Sequence, residues 1–395
     1  MHNLIFCFIF AVGILKSEVM NKNPFILTPM IPEEYFCDRE HETHQLIKTV
    51  TNQGNLVLIS PRRVGKTGLI NHCFEQPVIK DDFITVSIDI LHTTSFSEFI
   101  MELGNAVFRN VAKRSDRMMA KFTAALRSLR ASFGYDPLKG TPTFEVKLGQ
   151  VATPDYTLDE ILGYLEEAEK PCLVAIDEFQ QITNYPEKNI EALLRGRIQR
   201  LSNTYFIFAG SERRIMSEMF FSSKRPFYQS ASLLYLDPIS LDNYKAFVAH
   251  HFQVNGKHVD DDVVASVYNK WQGITMYMHR IFHDAFINVQ QGESCTMQVI
   301  EDVTATYIAQ NEKRLQELLA FISVQQKELL YAIAREGVAT KLTSAAFVKR
   351  HQLKSASAVQ SAAKRLLDYD IITQKGHEFS VSDPLLEIWL RERMA

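Results

Sequence analysis

The segment Ser60-Pro61-Arg62-Arg63-Val64-Gly65-Lys66-Thr67, followed by Gly68, has the residue types that can hold a polyphosphate. A glycine lets backbone N–H groups come close to a phosphate, and a helix that starts at the lysine points its positive end at it. Lys66 offers a charge for β- and γ-phosphates, and Thr67 a hydroxyl for Mg²⁺. Gly65, Lys66 and Thr67 match the pattern Gly-x4-Gly-Lys-[Ser/Thr], with Ser60 where the first glycine usually stands. A serine serves there as long as its φ stays negative. Arg62 and Arg63 hold either the nucleotide or a neighbouring acidic residue.

Two carboxylates belong with this loop. Asp177 ends the apolar run Cys172-Leu-Val-Ala-Ile-Asp177, the place of a residue that holds Mg²⁺ through water. Glu178 follows it, where a carboxylate can orient and deprotonate an attacking water. The plainer reading is that the pair ends a strand and caps a helix. Ser211, in Phe-Ala-Gly-Ser-Glu, is either a γ-phosphate sensor or a helix N-cap. Arg225, ahead of Arg213 and Arg214, is a candidate for stabilising transition-state charge, with a structural role as its alternative.

These residues need strands to carry them. Asn55–Ile59 is a short apolar run that stops at Ser-Pro, the pattern of a buried parallel strand. Phe83–Ile90, Cys172–Asp177, Tyr205–Gly210 and Ser232–Leu236 supply four more. Helical stretches near Glu40–Val50, Gly68–Phe74, Leu158–Ala168 and Asn189–Leu201 lie among them, and such alternation predicts a parallel sheet with right-handed crossovers. Residues 95–131 read as helical and basic, a solvated face or a nucleic-acid patch. Thr143–Leu148 reads as an exposed strand after a loop at Gly134–Pro142.

From Asp237 onward the pattern turns helical, with Leu241–Phe252, Asp260–Trp271 and Thr275–Val289. Near the C-terminus come amphipathic helices at Val324–Glu336, Leu342–His351 and Ser355–Asp368, then a hairpin around Gly376. Three helices and a hairpin make a winged helix, and the third helix is the one that enters a major groove. Residues 321–395 carry 11 Lys/Arg against 8 Asp/Glu, with Lys349, Arg350, Lys354, Lys364, Arg365 and Lys375 near the presumed DNA face. The first turns of that helix hold Ser355, Ser357, Gln360 and Ser361 but no arginine for guanine. Double-stranded DNA contact and docking onto protein therefore both stand.

Composition narrows the rest. The 395 residues are 46% hydrophobic and 23% charged, ordinary for a globular chain, and the net charge of −3 gives no general attraction to nucleic acid or membrane. Cys7, Cys37, Cys73, Cys172 and Cys295 are scattered without metal spacing, which fits a reducing, cytoplasmic setting. Leu4–Leu15 is an apolar run of 12 residues, short of the ~20 a membrane-spanning helix needs. Residues 1–19 read as a leader or an over-extended start before Met20, with a signal or anchor as the alternative.

Together these segments resemble the archaeal-type ATPase family, related to the AAA+ origin-recognition-like and signal-transduction ATPases. The likeness lies in Tyr35-Phe-Cys-Asp-Arg-Glu-His-Glu, Asn55 to Leu69, Leu173-Val-Ala-Ile-Asp-Glu-Phe-Gln, Arg225-Pro-Phe-Tyr-Gln-Ser, Ser355-Ala-Ser-Ala-Val and Asp383-Pro-Leu-Leu-Glu-Ile-Trp-Leu. It departs at Asp38, usually glycine, and at Gln272-Gly273-Ile-Thr, usually Gly-Gly-x-Pro. The resemblance implies an α/β P-loop core with a five-stranded parallel sheet, the phosphate-loop strand beside the Asp-Glu strand, a helical lid and a C-terminal winged helix. It implies ATP as nucleotide. The expected organisation is a core at 20–236, a lid at 237–312 and a winged helix at 313–395. The expected function is a nucleotide-gated ATPase, possible partners being ATP/ADP, DNA, a protein or a second copy. The alternative is an ATP/ADP-binding regulator with negligible turnover.

Overall fold

Segments of four to seven residues, three of them buried throughout and β2 alternating, form the central sheet of the computed structural model: β1 (Leu56–Ile59), β2 (Ile84–Asp89), β3 (Cys172–Asp177), β4 (Thr204–Gly210) and β5 (Ser232–Tyr235). The structure describes residues 22–114, 116–126, 132–136, 141–145 and 153–394. The sheet is parallel throughout, in the order β2-β3-β4-β1-β5. This corrects one expectation. The phosphate-loop strand β1 does not adjoin the Asp-Glu strand β3, because β4 lies between them and pairs with both.

Successive side chains of a strand point to opposite faces, and here both faces are covered. Val57 and Ile59 of β1, Val174 and Ile176 of β3, and Phe206 and Phe208 of β4 pack into one apolar cluster. Leu56, Leu58, Leu173, Ala175, Ile207 and Ala209 pack into the other. With both faces buried the strands read as unbroken apolar runs, and their ends are where polar residues first appear.

Local differences from the sequence reading have physical reasons. The basic stretch is two helices, Phe96–Arg114 and Asp116–Ala125. The loop expected at Gly134–Pro142 gives way to a strand Ser132–Asp136, paired antiparallel with Thr141–Glu145. Phe133 and Tyr135 do alternate there, but Gly134 between them and Asp136-Pro137 after them are turn residues that mask so short a strand. Residues 127–131, 137–140 and 146–152 lie outside the described residues, as do 1–21, which include the leader.

The chain divides into two compact units, residues 28–239 and residues 22–27 with 240–394. In the second, Phe25 is fully buried, its ring 5.6 Å from Phe282 and 5.8 Å from Phe247. A single helix, Met297–Phe321, runs through the boundary expected at 312/313. The C-terminal part holds helices Val324–Glu336, Ala345–Arg350 and Ala356–Asp368. A three-stranded antiparallel sheet follows, with Glu378–Val381 between Ala339–Thr340 and Ile372–Lys375. A last helix, Pro384–Met394, closes the unit. Ser355 caps Ala356–Asp368 by accepting from Ala358 N–H, and Val359, Ala362, Ala363 and Leu366 form its buried face.

The two departures from the family pattern keep a glycine-like backbone. Asp38 has φ 60° and Gln272 φ 55°, both in the left-handed region. Gln272 uses its side chain as well, donating to Glu387 Oε2 at 2.8 Å. No described helix is long and apolar enough to cross a membrane.

Candidate functional site

The site is assembled from the ends of three strands. Past β1, the chain enters the loop at Ser60, turns through Arg63 (φ 68°) and Gly65 (φ 99°), and starts the helix Lys66–Glu75. Gly65 is required by its φ rather than by crowding, since an added Cβ would meet nothing within 4 Å. Ser60 is absent from the positive-φ residues, so serine fits at this position without strain. Its N–H donates to Gly210 O at 3.2 Å, while its buried hydroxyl has no partner. Pro61, Arg62 and Arg63 are exposed, and Val64 and Gly68 are buried.

Lys66 is 7% exposed, with its ammonium 2.7 Å from Asp177 Oδ1 and 2.8 Å from Glu178 Oε1. Thr67 Oγ1 donates to Asp177 Oδ2 at 2.8 Å. These four groups converge as the phosphate-loop chemistry requires. Ser211, just past β4, donates its hydroxyl to Glu178 Oε2 at 2.6 Å and its N–H at 3.4 Å. Arg62 Nε lies 3.5 Å from Ser211 Oγ, which brings the loop arginine to the same end of the sheet. The position of β4 between β1 and β3 is what brings Ser211 to the Glu178 carboxylate, on the oxygen that Lys66 does not hold.

The plainer readings are met in part, since Asp177 does end β3. The helix Arg213–Phe221 has Glu212 at its N-cap, so Ser211 is not the cap. Glu178 precedes a 3₁₀ turn, Phe179–Asn184, without capping it by its side chain. Instead it adopts φ 55°, a strained conformation for a non-glycine residue of the kind that collects at functional sites. Burial raises the Glu178 pKa, but the Lys66 charge and the hydrogen bonds from Lys66, Ser211 and Gln180 outweigh it. The net shift is downward, and the group is a carboxylate at neutral pH.

Arg225 is not in this network. Its guanidinium is gripped bidentately by Glu191 and lies 3.5 Å from Glu218. A charge-stabilising role would require it to leave that pair. Arg213 lies over the Tyr235 ring at 4.7 Å. Two residues not singled out from sequence matter more. Gln180 donates to Glu178 Oε2 at 2.6 Å. Arg39, 5% exposed, donates to Asp237 O at 2.7 Å, to Val64 O at 3.5 Å and to Glu42 at 2.8 Å, so it braces the loop from behind. Both sit in segments that carried the family resemblance, which was the available signal.

The donors suit a magnesium–nucleotide complex. Mg²⁺ takes few protein oxygens and several from phosphate and water, and the Thr67 hydroxyl and Asp177 carboxylate are one such pair. Among the described residues no cluster of three His, Cys, Asp or Glu could form an all-protein metal cage.

Solved structures share this fold. The chain covers 99% of the Walker-type ATPase of Pyrococcus abyssi over 93% of its own length, with TM-score 0.64 and 19% identity. It covers 98% of the Aeropyrum pernix ORC2 protein in its ADPNP–ADP complexes over 94% of its own, with TM-score 0.59 and 13% identity. The ADP form of ORC2 gives TM-score 0.53 at 13% identity, covering 94% of this chain and 98% of that one. This chain has the Walker-type P-loop ATPase fold. Residues 313–392 match a family described as "Probable winged helix domain". A comparison with curated proteins returns no match.

The unpartnered Ser60 hydroxyl makes a prediction. Ser60→Ala removes a buried polar group that forms no bond, so unfolding free energy should stay level or rise by up to about 1 kcal/mol. A denaturant titration measures it, and a loss above about 1 kcal/mol would contradict the assignment.

Proposed function

We propose that the chain binds ATP with Mg²⁺ at the loop Ser60–Gly68 and hydrolyses it, working as a cytoplasmic nucleotide-gated switch. One observation carries this: Lys66, Thr67, Asp177, Glu178 and Ser211 come from the ends of three strands and meet within hydrogen-bonding distance. Each has a role suited to its chemistry. Backbone N–H groups of the loop cradle the phosphates, and Lys66 leaves its two carboxylates for the β- and γ-oxygens. Thr67 and Asp177 would hold the metal, which when bound would supply charge neutralisation at the phosphates. Glu178, released by Lys66, then accepts a proton from the attacking water through Oε1. Ser211 reports the γ-phosphate, and Arg62 stands beside it.

A second reading, a nucleotide-binding regulator with negligible turnover, is favoured by how fully Glu178 is engaged by Lys66, Ser211 and Gln180. Single-turnover hydrolysis separates the two. Glu178→Gln should keep ATP binding and lose roughly 100-fold or more in rate, the usual contribution of a positioned base. If wild type and variant are equally slow, the hydrolase reading fails and the regulator reading stands.

The winged helix extends the proposal to duplex DNA. Lys349, Arg350, Lys354, Lys364, Arg365 and Lys375 are all exposed, although Arg350 is partly occupied by Glu336 at 2.8 Å. Ser357, Gln360 and Ser361 are exposed on the third helix, able to contact base edges or phosphates. Binding should weaken with salt and fall strongly in Lys364→Glu/Arg365→Glu, measured by fluorescence anisotropy with labelled duplex. Unchanged binding in the double variant rules out this face, and no binding by wild type leaves the domain to protein contacts.

A further inference from the structure

We infer that Gln180 is the positioning residue that keeps Glu178 aimed during hydrolysis, an inference that rests on the ATPase reading above. Glu178 has three side-chain donors: Lys66 on Oε1, and Ser211 and Gln180 on Oε2. Two of the three have a second employment. Lys66 is needed by the β- and γ-phosphates, and Ser211 lies where a γ-phosphate would compete for its hydroxyl. Gln180 is 1% exposed, and the hydrogen bond its amide donates goes to Glu178. When phosphate draws away the other two, Gln180 is the one side chain that still holds Oε2, beside the longer contact from Ser211 N–H at 3.4 Å, and Oε1 is left to take the proton of a water.

Three further observations show that Gln180 is held for this purpose. Its backbone is anchored on both sides. Phe179 is buried 4.6 Å from Phe208 and 5.3 Å from Phe227, and Gln181 Nε2 donates to Thr93 O at 2.8 Å. Its amide oxygen is buried with no hydrogen-bond partner, a cost that an apolar residue of the same shape would avoid. The amide cannot be turned to relieve this, because a carboxylate oxygen facing it demands the N–H side. Finally, β4 ends in glycine just there. A Cβ on Gly210 would lie 2.5 Å from Gln180 Oε1 and 2.6 Å from Met216, so the strand leaves space for the amide. An orphaned buried carbonyl, a glycine gap and a base in the left-handed conformation all meet at one hydrogen bond.

The test uses Gln180→Met, close in shape and without the amide, and Gln180→Leu as a second variant, in the full chain beside wild type and Glu178→Gln. Affinity for fluorescent ATP and single-turnover rate are measured for each. Both Gln180 variants should bind ATP within about 3-fold of wild type and hydrolyse it roughly 10- to 100-fold more slowly, as for a misaligned catalytic group. Rates equal to wild type overturn the inference while leaving the ATPase reading intact. Parallel loss of ATP affinity in both variants also overturns it, since Gln180 would then support the fold of the site and not the aim of Glu178. Wild type no faster than Glu178→Gln defeats the ATPase reading itself, and this inference with it.

Discussion

One buried ammonium organises the nucleotide end of the sheet. Lys66, almost wholly shielded from water, is sustained by carboxylates from the end of β3 on two sides, at 2.7 and 2.8 Å. A buried charge persists only with such partners. The same contacts fix Asp177 against the Thr67 hydroxyl and Glu178 against Ser211. Every other feature of the site follows from keeping these groups in register. The loop needs Gly65 to turn, Arg39 to brace Val64, and β4 between β1 and β3 to bring Ser211 within reach. A polyanion is the ligand that could take over a lysine held in this way, because its oxygens offer the same charge complement.

Much of this was legible in the sequence, for a physical reason. Strands buried on both faces become continuous apolar runs, as β1, β3 and β4 do, while β2 showed itself by alternation and β-branched residues; together these patterns marked the sheet. The winged helix was legible through its N-capping serine and apolar helix face. What was not legible depends on neighbours in space. The placement of β4 between β1 and β3 is a pairing choice that no local pattern records. Gln180 acts only because Gly210 of a different strand makes room for it. Arg225 carries the right charge for a transition-state role, yet its sequence gives no sign of Glu191 beside it.

Within the second unit the helical segment and the winged helix are tied by specific polar contacts. Gln272 donates to Glu387, Tyr277 donates to Asp383, and Arg393 pairs with Glu312 at 2.5 Å. The Gln272 contact arises at a position where the family it resembles usually has glycine, whose lack of a side chain could not make it.

The claim that a nucleotide replaces the carboxylates around Lys66 is tested most directly by titrating fluorescent ATP, with and without Mg²⁺, into wild type and Lys66→Ala. The account predicts Mg²⁺-dependent binding by wild type and a loss of at least ~10-fold, about 1.4 kcal/mol, in the variant. ATP binding of equal strength in the two proteins would contradict it.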